Sequence, residues 1–128
     1  MSDSDQPLEW VEFAEVDLDT ARLALRRKKI STYIVCFHAQ QSIEKYLKAI
    51  LILHQVKFPK IHDLRRLSDL LAENGILLGM SATQLDKVTK YSVMVRYPGD
   101  QPVIEEAKEA VETAKLVRKF SRKHLGLK

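Results

Sequence analysis

At 128 residues with a formal net charge of +4, the chain has the size of one domain spanning 1–128 and can bury enough surface to fold without a metal or disulfide. A single cysteine, Cys36, excludes an internal disulfide and a cysteine-based zinc site. The start "MSDSDQPLEW" has no apolar signal region and the longest apolar run, "AILIL" at 49–53, is too short for a bilayer, so the expectation is a soluble, cytoplasmic protein with no membrane segment.

The helical period runs through almost the whole sequence. The first helix is predicted from about Pro7 to Lys28, with Trp10, Ala14, Leu18, Ala21 and Leu25 as one inward stripe. The second is predicted from about Ser31 to His54, where Cys36, Ala39, Ile43, Tyr46, Leu47, Ile50 and Leu53 make a broad apolar face. "KFPKIHD" then breaks the helix at Pro59.

A third helix starts near His62 or Asp63 and buries Leu64, Leu67, Leu70 and Leu71. It ends at "ENGI", where Gly75 suits a left-handed cap. "SATQ" at 81–84 reads as a capping box opening a fourth helix, with Leu85, Val88 and Val95 inside and "RYPGD" at 96–100 as the stop. The last helix is predicted to carry Pro102 in its first turn, with Val103, Ala107, Ala110, Ala114 and Val117 as a narrow seam. No strand is predicted; "YSVMV" at 91–95 is the one rival segment. These elements predict an all-α, up-and-down bundle of four to five helices, with the shorter ones at one end.

Charge is unevenly spread. Residues 1–20 hold seven acids and no Lys or Arg, whereas after Glu112 there are only cations: Lys115, Arg118, Lys119, Arg122, Lys123 and Lys128. Such asymmetry can mark an anion-binding face; Lys and Arg also gather at helix C-termini for purely local reasons.

Each helical residue turns by about 100°, which places His38, Gln41, Lys45 and Lys48 in one arc flanked by Gln40 and Glu44. By periodicity alone this is either a solvated face or a site. The flanking helix is apolar enough to sit centrally in a bundle, where buried polar groups need partners. Asp63 suits an N-cap, while His62 beside it has no such role. Arg96 and Tyr97 at the end of the fourth helix can clamp a phosphate and stack on a base, or merely cap and pack. No phosphate loop, HExxH or G-x-S-x-G is present, and the four histidines lack metal-ligand spacing, so neither cofactor nor metal is expected.

Three segments, "CFHAQQSIEKYLKAILI", "FPKIHDLRRL" and "VRYPGD", stand in order ahead of a final Glu- and Ala-rich helix. Together they resemble the HEPN domain (higher eukaryotes and prokaryotes nucleotide-binding) over about Val16 to Phe120. The resemblance implies a bundle similar to the C-terminal domain of kanamycin nucleotidyltransferase, a homodimer, and a partnership with a minimal nucleotidyltransferase, often as a toxin–antitoxin pair. It implies either a non-catalytic module that binds nucleotide or RNA phosphate, or a metal-independent ribonuclease with an arginine and a histidine a short spacer apart. His38, Gln41, Lys45, Lys48, His62, Arg96 and Tyr97 are then candidates for a nucleotide or anion site or a subunit-interface network. No histidine follows Arg96 at the ribonuclease spacing. Arg118 and His124 in "RKFSRKH" satisfy it, on a C-terminal segment expected to fray and about 120° apart on the helix.

Overall fold

The computed structural model describes residues 4–93 and 99–128. Among them are five α-helices and no strand: α1 (Pro7–Leu25), α2 (Thr32–Leu53), α3 (Leu64–Glu73), α4 (Ala82–Thr89) and α5 (Ile104–His124), with a 3-10 turn at Lys90–Ser92. None of these helices is long and apolar enough to cross a membrane.

The helix ends follow local chemistry. Asp63 is the N-cap of α3 and accepts from the backbone N–H groups of Arg65 and Arg66. Ser81 and Gln84 form the reciprocal capping box that opens α4. At α5, Glu106 reaches back to the N–H of Val103 at 3.0 Å. Pro102 therefore precedes the N-cap instead of lying in the first turn, and Val103 is exposed outside the seam. The first helix ends at Leu25 and not at Lys28, because Arg26 N–H turns to Leu23 O (3.1 Å), the tightening typical of a helix end. The fourth stops at Thr89, whose hydroxyl bonds back to Leu85 O and accepts from Leu64 N–H. Val95, expected inside it, lies outside the described residues.

The last helix ends in a formed cap. Gly126 adopts φ 75, and Leu127 N–H closes on Arg122 O at 2.8 Å, a left-handed cap that satisfies the last carbonyls. Gly75 does the same for α3. Gln55 does it for α2 with φ 56, although it carries a side chain, and Val56 N–H closes on Leu51 O at 2.9 Å.

α2 is the central element: α1, α3, α4, the 3-10 turn and α5 all pack against it. α1 returns along α2 through a short connection and is antiparallel to it. α3 and α4 then carry the chain back, so α5 starts beside the start of α2, where Thr32 Oγ1 donates to Pro102 O at 2.6 Å. The two helices also end together, at His54 and His124. Trp10, Ala14, Leu18 and Ala21 of α1 are buried, as are Ala107, Ala110, Ala114 and Val117 of α5. Small side chains on α5 let its backbone approach the bundle closely. Three more predicted core positions lie nearer the surface: Leu25 and Leu70 are half-buried and Leu53, in the last turn of α2, is exposed.

A side chain held at positive φ costs roughly 1 kcal/mol relative to glycine. Gln55→Gly is therefore expected to raise the unfolding free energy by about that amount, measured by urea denaturation followed by circular dichroism.

Candidate functional site

Helical spacing puts His38, Gln41, Lys45 and Lys48 on one side of α2, and packing then divides them between two neighbours. His38 and Lys45 face α1. There Asp17, itself buried, accepts from His38 Nδ1 at 2.9 Å through one carboxylate oxygen and from Lys45 Nζ through the other. A carboxylate only accepts, so His38 carries its proton on Nδ1. Lys45 Nζ also lies 5.6 Å from the Phe13 ring centroid.

Lys48 faces the start of α3. Its ammonium is 2.9 Å from Glu44 Oε2, and both side chains are almost fully buried. The other Glu44 oxygen accepts from Gln40 Nε2 at 3.1 Å and from His62 Nδ1 at 2.9 Å. Gln40, fully buried, also donates to the His62 carbonyl, and its own oxygen accepts from Gln41 Nε2 at 2.7 Å. The Trp10 and Phe58 rings flank Lys48 Nζ at 5.7 and 5.6 Å. A cavity of about 750 Å³ opens on the outer side of these rings, lined also by Val56, Lys57 and Lys60.

The polar arc is thus two networks whose charges are already matched: Asp17 with Lys45, and Glu44 with Lys48. Asp17, Gln40 and Glu44 are the members that spacing alone does not single out as partners across helices. Arg96 and Tyr97 lie outside the described residues.

A third cluster joins α1 to α5. Glu15 accepts from Arg118 Nε at 2.9 Å through both oxygens and from Arg122 at 2.8 Å. The Tyr46 hydroxyl is buried beside it without a fully formed hydrogen bond. Burial, and next the Glu15 carboxylate, push its phenol well above the usual range. Burial opposes ionisation of Glu15, but the hydrogen-bonding groups of Arg118 and Tyr46 and the charges of Arg118 and Arg122 outweigh it and hold the carboxyl below its ordinary value. Beyond this cluster lies an open groove of about 650 Å³. Its lining includes Arg22, Lys115, Arg118, Lys119, Arg122 and Lys123, against one acid, Glu112. Lys115 pairs with Glu112; Arg22, Lys119 and Lys123 have no ion pair among the described residues. Here the run of cations after Glu112 becomes a surface.

Arg118 and His124 do not converge. Arg118 is held on Glu15, while His124 Nε2 faces His54 Nε2 at 2.7 Å on another side of α5. Burial, and then the facing His54, hold the His124 pKa below its ordinary value.

Glu44→Ala should cost about 3–5 kcal/mol, because it strands a buried ammonium, and the double variant Glu44→Leu/Lys48→Met should recover most of that loss. Chemical denaturation of the three proteins checks both. Glu15 behaves differently with pH. Its folded pKa is depressed, so its contribution is present above the pKa of an unfolded glutamate and is lost as pH falls through the lower folded value. Glu15→Gln is expected to lose about 1 kcal/mol at neutral pH, a modest value for a partly exposed pair. Denaturation curves of the variant and the parent should converge only as pH falls through that lower folded value.

The model of the HEPN domain matches residues 8–124. Two crystal structures share the fold. TT1696 from Thermus thermophilus is 24% identical, aligns over 94% of this chain and 98% of its own, and has a TM-score of 0.71. ST0689, described as an archaeal HEPN homologue, is 22% identical over 93% and 97%, with a TM-score of 0.68. No curated protein matches the sequence.

Proposed function

The chain belongs to the HEPN domain family, and on that premise we propose that it is a binding module: a homodimeric HEPN subunit that partners a minimal nucleotidyltransferase and holds nucleotide or RNA phosphate without cleaving it. The observation that carries the phosphate reading is the basic groove between the end of α1 and the second half of α5. Its uncompensated cations, Arg22, Lys119 and Lys123, suit a phosphate, and they stand beside Arg118 and Arg122, which Glu15 holds in place. The polar arc of α2 serves this module as scaffold, since His38, Lys45, Lys48 and His62 already answer Asp17 and Glu44. His62 is the most exposed of them and the best placed to meet a ligand or a second subunit.

A non-catalytic reading is supported by the separation of Arg118 from His124. Metal-free phosphodiester cleavage needs a proton-transfer group and a charge-stabilising group at one reacting centre. The ribonuclease toxin is the alternative, and it requires these two residues, or the Arg96 and His62 region, to meet across a dimer.

Calorimetry with ATP and a dinucleotide at low salt tests the groove. The expected result is weak binding without turnover that fades as salt rises. Lys119→Ala with Lys123→Ala should weaken it several-fold, and Glu15→Gln should strengthen it by releasing Arg118 from its hydrogen bonds to Glu15, whereas Arg122 stays on the Lys128 oxygen. Absence of any binding would remove the phosphate role and leave the partnership, which co-purification with a co-expressed nucleotidyltransferase tests separately. Metal-free RNA cleavage abolished by Arg118→Ala and His124→Ala would establish the ribonuclease instead.

A further inference from the structure

His54 and His124 lie seventy positions apart, yet their Nε2 atoms meet at 2.7 Å because α2 and α5 run in the same direction and finish together. In a neutral pair only one of the two nitrogens carries the proton, and the other offers it a lone pair. His38 and His62 are different, since each directs a ring nitrogen to a carboxylate. Neither His54 nor His124 has a carboxylate partner among the described residues.

We propose that His54 and His124 form a two-histidine site for a divalent d-block cation such as Zn²⁺, Ni²⁺ or Cu²⁺, bound through both Nε2 atoms in place of the shared proton. This proposal is independent of the phosphate groove.

Donor chemistry selects the ion class: imidazole nitrogen suits zinc, nickel and copper, whereas magnesium and calcium want oxygen. The site is open to entry, because His54 is exposed and His124 half-buried. Its ligands are also held in place. The His124 ring stacks on Phe120, with centroids 6.0 Å apart and planes 14° from parallel. His54 is the C-cap of α2, pinned from behind by the left-handed turn at Gln55.

At zinc–nitrogen lengths of about 2.0–2.1 Å, two nitrogens at a tetrahedral angle stand about 3.3 Å apart. The present separation of 2.7 Å must therefore widen by only about 0.6 Å, which rotation of the exposed His54 side chain supplies. No third His, Cys, Asp or Glu joins the pair among the described residues, so water would complete the shell and the ion would exchange readily. The sequence gives no warning of this site, because the ligands come from two helices with no local spacing between them.

The test is calorimetric titration of the full chain with zinc and nickel chloride, with magnesium chloride as control, beside imidazole NMR spectra. One zinc or nickel per chain is expected, with spectral changes confined to His54 and His124 and no response to magnesium. His54→Gln and His124→Gln should each weaken binding at least tenfold, while His62→Gln, whose side chain is largely exposed, should leave it unchanged. Circular dichroism establishes that each variant is folded. The proposal is overturned by the absence of binding at tenfold excess of zinc, by binding that survives His54→Gln, by equal loss in His62→Gln, or by one ion per two chains.

Discussion

The buried pair Glu44–Lys48 sets the terms for the rest of the bundle. Taking two charges out of water costs several kcal/mol per ion unless each remaining lone pair and proton finds a partner. Glu44 meets that requirement with groups from three places: Lys48 and Gln40 on its own helix, His62 ahead of α3, and, through Lys48, the rings of Trp10 and Phe58. Shifting α1 or the 57–63 connection by one residue would leave the carboxylate or the ammonium short. The pair therefore works chiefly as a register device. It tells the neighbouring elements where to stop along α2, a task that an oily helix face alone performs poorly.

Asp17 acts in the same way on the other flank, tying α1 to His38 and Lys45. With α1 and the start of α3 so placed, α2 is surrounded. Its polar residues are then engaged with protein, while Arg22, Lys119 and Lys123, without an ion pair among the described residues, line the groove along α5. Polar residues that share one arc on a helical wheel thus bond to groups on the neighbouring elements. Cations of the C-terminal third line an open groove along α5.

Much of the architecture was legible in the sequence because it rests on short-range rules. The capping box at Ser81, the N-cap at Asp63 and the glycine stop at Gly75 are each written within a few residues. The stripes of α1, α2 and α5 follow from a single period. The candidate site was legible only in composition. That His38, Lys45 and Lys48 needed partners followed from the central position of their helix. Glu44 stands one turn before Lys48, a pairing that local spacing allows. That Asp17 would answer His38 and Lys45, and that His62 would reach Glu44, depended on how α1 and α3 dock, and no local pattern encodes that. Glu15 with Arg118, and His54 with His124, are contacts between distant stretches of the chain set by the direction of α5. That direction in turn follows from α3 and α4 carrying the chain back along the bundle.

The shared direction of α2 and α5 has an electrostatic consequence. Parallel helices add their macrodipoles, so both carbonyl-ended termini, each equivalent to roughly half a negative charge, lie at the same pole of the molecule. Arg122, Lys123 and His124 occupy the last turn of α5 there, and His54 caps α2. The opposite pole gathers two amide-ended termini, and α5 answers its own with Glu105 and Glu106 in the first turn. The antiparallel α1 offsets part of this polarity, and α5 answers its own ends with side chains, whereas α2 has no acid in its first turn and no base in its last. A cation arriving between the two imidazoles would meet basic side chains at the rim and a partial negative charge from two helix ends beneath them.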